Sequence, residues 1–354
     1  MRSMGDGEDR RQQREVDSDM RLAQLAQALE GAIAGKQDGR TSGTPVEIGD
    51  MTIFCAGSFA RGEGSPHSDI DLFFAYPDDG AAPDLPRTNE LKLFGRLIDV
   101  VDELGFPPFS RDAMYLESVR TNSLMPHLGG PKDDDTNFFT LRMLMLLESR
   151  CLVGRESYNA IVSQILDWYF YDAPKHEEDF EPWALYNDII RYWRTMLLNY
   201  ENANFRKRGA PEGERADEAE RQAERRARKF KLSFSRATTC FATIAAIAAA
   251  ERPATKQSIT ELVAISPMAR LQTVPRSVPA TAPIVNLLTH DYEWFLSQTA
   301  QSKADLHAAM SDDESRKGLS ERARVYGDRL YELLCAIDSN RTSGARGLVR
   351  YLVV

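Results

Sequence analysis

Cysteine is scarce. The 354 residues contain four, Cys55, Cys151, Cys240 and Cys335, far apart and without C-x-x-C spacing. That excludes a disulfide scaffold and gives a structural zinc site no support. The five histidines, His67, His127, His176, His290 and His307, are equally dispersed. Long hydrophobic runs are lacking too. The longest, Thr238 to Ala250, is bracketed by Arg236 and Glu251 and falls short of the ~20 residues a membrane span needs; it reads as a buried helix. Met1 to Arg14 is charged and has no apolar signal-peptide core, so the expected compartment is the cytoplasm, with no membrane partner. There is no basic excess: 44 Lys+Arg face 53 Asp+Glu, a formal charge of −9. Coating of duplex DNA by bulk charge is excluded, whereas a discrete binding site is not.

What is present is an ordinary globular composition, 42% hydrophobic and 27% charged, long enough for two domains. Residues 1–17 are polar and glycine-bearing and read as a disordered tail. Apolar residues at helical spacing follow from Met20 to Ile33. Met51–Ala56 reads as a strand running into the turn Gly57-Ser58, and Asp69–Ala75 as a second strand. Leu91–Leu104 is an amphipathic helix, and Ala113–Val119 a third strand. Beyond Asn137 the pattern is helical, over Phe138–Cys151, Ser157–Phe170, Ala184–Glu201, Asp217–Ala250, Pro283–Ser297 and Leu319–Ser339. The expected fold class is α+β: a small mixed sheet with helices over residues 18–155, then an α-helical bundle over 156–354.

The chemistry concentrates between Gly57 and Phe74. Asp69 and Asp71 are two apart, so on a strand both carboxylates face one way. Paired hard oxygen anions suit Mg²⁺ or Mn²⁺. About ten residues earlier, Gly57-Ser58 closes a strand and is expected to open a helix, offering backbone N–H groups and a hydroxyl to a phosphate. Arg61, a helical turn further on, is placed to contact the same phosphates. A phosphate cradle joined to metal-binding acids is the equipment of phosphoryl or nucleotidyl transfer.

The pattern G-S-x₁₀-D-x-D-L resembles the signature of the polymerase-β-like nucleotidyltransferase superfamily. More narrowly, Gly62-Glu63, Ser65-Pro66-His67-Ser68-Asp69-Ile70-Asp71-Leu72 and the later Leu147-Glu148-Ser149-Arg150-Cys151-Leu152-Val153-Gly154 look like segments of the bacterial PII-protein uridylyltransferases. The resemblance implies an NTP substrate, with Gly57, Ser58 and Ser68 at the triphosphate and Asp69 and Asp71 at the metals. It also implies a third carboxylate from a later strand, for which Glu117 and Asp112 are the candidates, as metal ligand or as base for the incoming hydroxyl. The implied acceptor is a protein side chain, an RNA 3′ end or a nucleotide, as in toxin-like or defence-associated relatives. The His-Asp hydrolase domain of the uridylyltransferases has no counterpart among the dispersed histidines, so their PII substrate is not carried over. The alternative is a nucleotide-binding regulatory protein whose transferase site has decayed.

In the helical half, Phe205 to Arg236 carries a net charge of +5 against −14 for everything else. Lys229, Lys231 and Arg236 sit where the acidic partners stop, and are expected to reach a triphosphate. On an ideal helix Arg225, Lys229 and Arg236 lie near one face. Glu148 and Arg150 are expected to form structural ion pairs.

Overall fold

A computed structural model describes residues 5–37, 40–41, 43–77, 85–109, 116–121, 128, 132–133, 138–176, 178–208, 218–341 and 347–353. The chain divides into two compact units, Arg11–Trp168 on the one hand and Met1–Arg10 with Tyr169–Val354 on the other.

The first unit is organised by a four-stranded mixed sheet. Its strands are β3 (Thr52–Ala56), β4 (Asp71–Tyr76), β5 (Ser118–Arg120) and β6 (Ser149–Val153), in the order β5-β4-β3-β6. A small antiparallel pair, β1 (Lys36–Gln37) with β2 (Arg40–Thr41), lies apart from it. β3 is antiparallel to β4 and β6, while β5 runs parallel to β4. Every residue of β3 is buried, the mark of a central strand covered on both faces. On one face Ile53, Cys55, Leu72 and Phe74 meet Leu25 and Leu29 of α1 (Gly5–Ile33) and Leu93, Phe94 and Leu97 of α2 (Arg87–Glu103), with the Phe74 and Phe94 rings 4.9 Å apart. On the other face Phe54 stacks on Phe73 at 5.5 Å, and Tyr158 of α4 (Arg155–Tyr169) meets Phe54 edge-on at 5.9 Å. The period-2 alternation of strands supplies both layers.

Three expectations change here. Residues 1–17 do not form a tail throughout, since α1 begins at Gly5. The charged stretch supports a helix through pairs four residues apart, such as Gln13 donating to Asp17 at 2.8 Å. The expected helix Phe138–Cys151 ends at Glu148 in α3 (Phe138–Glu148), and the chain passes directly into β6. That strand is imposed by pairing with β3, through a bulge between Ile53 and Phe54. Gly154 ends it at φ +75°, where a Cβ would lie 2.7 Å from the Met51 carbonyl oxygen, so only glycine lets the backbones approach. Of the expected strand Ala113–Val119 only the end is seen, as β5; residues 110–115 lie outside the described ones.

The second unit is helical. Its helices are α5 (Trp183–Arg208), α6 (Glu218–Lys231), α7 (Ala237–Ala249), α8 (Lys256–Ala264), α9 (Pro267–Ser277), α10 (Ala282–Gln298), α11 (Lys303–Ser311), α12 (Asp313–Asn340) and α13 (Leu348–Val353). A π-helical segment, Leu232–Arg236, joins α6 to α7, and the Ala237 N–H reaches the Leu232 carbonyl five residues back. At its centre Phe234 is fully buried, stacked on Phe295 at 4.8 Å and Tyr326 at 4.5 Å. The Thr238 hydroxyl meets the Tyr326 hydroxyl at 2.5 Å. All of α7 except Phe241 is buried, as expected of the run Thr238–Ala250. The helix Ala219–Ala249 is long and apolar enough to cross a membrane, and most of its apolar stretch is packed inside the bundle.

Candidate functional site

β4 starts at Asp71, so Asp69 lies in the loop before it rather than inside the strand. The alternation nevertheless continues through the junction: Asp69 is exposed, Ile70 buried, Asp71 half-buried and Leu72 buried. Ile70 and Leu72 are anchored in the core, which turns the two carboxylates toward the opposite side. Asp71 pairs with Ala56, the last residue of β3. The next residue, Gly57, adopts φ +82°, and a Cβ there would lie 3.4 Å from Asp71 Oδ2. The Gly57-Ser58 backbone therefore passes directly beside the Asp71 carboxylate, and the absence of a side chain leaves that approach open.

Gly57-Ser58 does not open a helix. The chain makes a single turn, with Arg61 N–H bonded to the Gly57 carbonyl at 3.1 Å. It closes as a Schellman motif: Glu63 N–H reaches Ser58 O at 2.8 Å, Gly62 N–H reaches Phe59 O at 3.0 Å, and Gly62 sits at φ +73°. The glycine two residues before a second glycine overrides helix propagation. A second turn follows, in which Ser68 N–H bonds the Ser65 carbonyl at 3.0 Å and the Ser68 hydroxyl accepts the Ser65 N–H at 3.1 Å. Ser68, expected at the triphosphate, thus holds the turn that delivers Asp69.

Arg61 is not presented to a ligand as expected. Its side chain is only 6% exposed; Nε donates to Glu63 Oε2 at 2.9 Å and Nη1 to Glu148 Oε2, and Glu148 is 0% exposed. Charges this deep are held by pairing. The ion-pair expectation holds for both neighbours: Glu148 pairs with Arg61 and Arg150 with Asp19. Glu63 is the member the sequence reading missed. Its signal was its place between two glycines two residues after an arginine.

Glu117 is exposed and immediately precedes β5. β5 pairs in parallel register, Phe74 with Ser118 and Ala75 with Val119. Continuing that register by one residue sets Glu117 beside Phe73, on the same face as Asp71 two residues earlier. Asp112 lies outside the described residues. Among the described residues no three His, Cys, Asp or Glu side chains gather as a metal cluster. Behind the site, burial pushes the Cys55 thiol up to about 12; Arg150 draws it down and Asp71 pushes it up further. That sulfur is an inert core group, not a nucleophile.

Lys229, Lys231 and Arg236 lie in the helical unit, with both lysines exposed and Arg236 half-buried. The π segment between Lys231 and Ala237 adds to the residues per turn, so Arg236 is rotated away from the face that an ideal helix would share with Arg225 and Lys229.

No curated protein matches this sequence. Residues 46–114, which contain β3, the Gly57-Ser58 turn, both aspartates and α2, match the family model described as a nucleotidyltransferase domain.

Proposed function

We propose that the sheet face bearing Asp69 and Asp71 is the active site of a metal-dependent nucleotidyltransferase. It would transfer a nucleoside monophosphate from an NTP to an acceptor hydroxyl, with release of pyrophosphate. The observation that carries this reading is the close passage of Gly57-Ser58 beside the Asp71 carboxylate, within the segment that matches the nucleotidyltransferase domain.

Asp69 and Asp71 would hold Mg²⁺ or Mn²⁺. The donor set fits, because Mg²⁺ commonly takes only one or two protein carboxylates when substrate phosphates and waters complete its shell. When bound, such an ion neutralises phosphate charge. The chain's own groups do the positioning. The Gly57 and Ser58 amides and the Ser58 hydroxyl orient the phosphates. Glu117, or Asp112, takes the proton of the acceptor hydroxyl. The acceptor oxygen then bonds to the α-phosphorus as the bond to pyrophosphate breaks, so no covalent enzyme intermediate is needed. The −9 charge favours a protein or small-molecule acceptor over long RNA.

The alternative reading is a regulatory protein that binds NTP without transferring it, which holds if neither Glu117 nor Asp112 reaches the metal that Asp69 and Asp71 would bind. One experiment separates the two. The protein is incubated with each labelled NTP, Mg²⁺ or Mn²⁺, and lysate divided into protein, RNA and small-molecule fractions. Transfer of label that disappears in Asp71→Asn supports the transferase. NTP binding without label on any fraction supports the regulatory protein.

A further inference from the structure

The loop from Gly57 to Asp69 has two internally bonded halves, the Schellman turn ending at Glu63 and the serine turn beginning at Ser65. Within the loop the Phe59 ring lies close against Gly64 at the joint between them, and α1 adds hydrogen bonds there. Arg14 Nη1 donates to the Glu63 carbonyl at 3.2 Å, and the Ser18 hydroxyl accepts the Gly64 N–H at 3.0 Å. These residues are four apart, hence on one face of the helix, and Ser18 is 1% exposed. The fit leaves no slack. A Cβ on Gly62 would lie 3.3 Å from Glu15 Cγ, and one on Gly64 would lie 2.4 Å from the Phe59 ring and 3.0 Å from Ser18 Oγ. Arg21, lower on α1, spans the Phe106 ring at 4.1 Å and donates to the Leu104 carbonyl, which fixes the helix to the end of α2.

We infer that Arg14 and Ser18 are positioning residues: they set the relative placement of the Gly57-Ser58 turn and Asp69, and through it the affinity of the site for a nucleoside triphosphate. The inference rests on the proposed function for its ligand, but not for its geometry. A stretch whose composition reads as tail would then tune the site.

The test uses the full chain as Ser18→Ala, Arg14→Met, the donor-retaining Arg14→Lys, and Val16→Ala as a control on the exposed side of the same helix, where Val16 is 51% exposed. Hydrogen exchange reads residues 57–69, and competition against a labelled NTP with Mg²⁺ reads affinity. Ser18→Ala and Arg14→Met should raise exchange in residues 57–69 and weaken NTP binding, each by about tenfold, as loss of one buried or part-buried hydrogen bond allows. Arg14→Lys should recover part of both effects, and Val16→Ala should match wild type. Wild-type affinity in Ser18→Ala, or exchange that rises across the whole unit rather than in the loop, would overturn the inference. If wild-type protein binds no NTP, the proposed function fails by itself. The clamp is then judged by exchange, and falls if Ser18→Ala protects residues 57–69 as well as wild type does.

Discussion

Substituting Arg61 and Glu148 by methionine, singly and together, decides whether Arg61 belongs to the fold or to the ligand. Removing one partner of a buried ion pair costs about 3–5 kcal/mol, because the other charge is stranded. Glu148→Met leaves Arg61 with Glu63 at 2.9 Å, so a cost near the lower end, about 3 kcal/mol, is expected. Arg61→Met takes the guanidinium from two carboxylates, one of them wholly buried, and should cost about 5 kcal/mol. The double variant leaves only Glu63, at the edge of the cluster, so its cost should fall short of the sum by at least about 2 kcal/mol, a coupling in the range seen for contacting residues. The assay is urea unfolding of the full chain followed by hydrogen exchange at β3 and α3, which reports this unit alone. NTP affinity is measured on each variant under conditions where it stays folded. Arg61→Met and Glu148→Met should then change affinity alike. The reasoning is refuted if Arg61→Met costs under about 1 kcal/mol, adds independently to Glu148→Met, and alone weakens NTP binding.

Gly57→Ala should destabilise by about 1–2 kcal/mol through its φ of +82°, and should lower NTP affinity because the new methyl stands against Asp71 Oδ2; calorimetry with and without Mg²⁺-NTP checks both. Asp71→Asn should remove the difference in NTP affinity between Mg²⁺ and EDTA, which equilibrium dialysis measures directly. In the helical unit burial raises the Cys240 thiol from 9.0 to about 12, against the pull of Arg236 and Arg270. From pH 9 to about 12 the folded state keeps a proton that the unfolded state has lost. Stability therefore falls as pH rises, by roughly 1.4 kcal/mol per pH unit at most, with no such effect below pH 9. Urea titrations at pH 8, 9 and 10 should show a shallower decline in Cys240→Ala. Phe234→Ala should cost about 3–5 kcal/mol, seen as loss of the helical unit's denaturation midpoint, because its ring is stacked between Phe295 and Tyr326.

The parts legible in the sequence are those where a short-range pattern coincides with burial. β3 and β4 were marked by short apolar runs, α2 by Phe94, Leu97 and Val101, although Leu91 and Ile98 of the same apolar pattern are exposed, and the candidate site by Gly57-Ser58 and the two aspartates. β6 was not legible, because Ser149–Val153 follows the Leu- and Met-rich α3 without a breaker and becomes a strand only by pairing with β3. The helices α8, α9 and α11 lack long apolar stripes and were not read; their starts are set by side-chain caps instead. Thr255 and Ser258 cap reciprocally, Ser266 precedes Pro267 at the first helical position, and Ser302 accepts the Asp305 N–H. Arg61 misled because its partner Glu148 is 87 residues away; local spacing showed a cation near a phosphate turn and could not show the buried acid that claims it. The role of α1 was hidden for the same reason, since the Gly64 N–H finds its acceptor 46 residues back along the chain.

The π segment Leu232–Arg236 holds a surplus residue within a continuous helix. Removing one residue there would let the widened turn relax to ordinary α geometry while α6 and α7 keep their facing. The same deletion a turn further on in α7 would rotate every side chain beyond it by about 100°, turning buried residues such as Ile244 and Ala245 away from the core. The helix thus carries one point at which its length is free to vary by a single residue, bordered by positions where it is not.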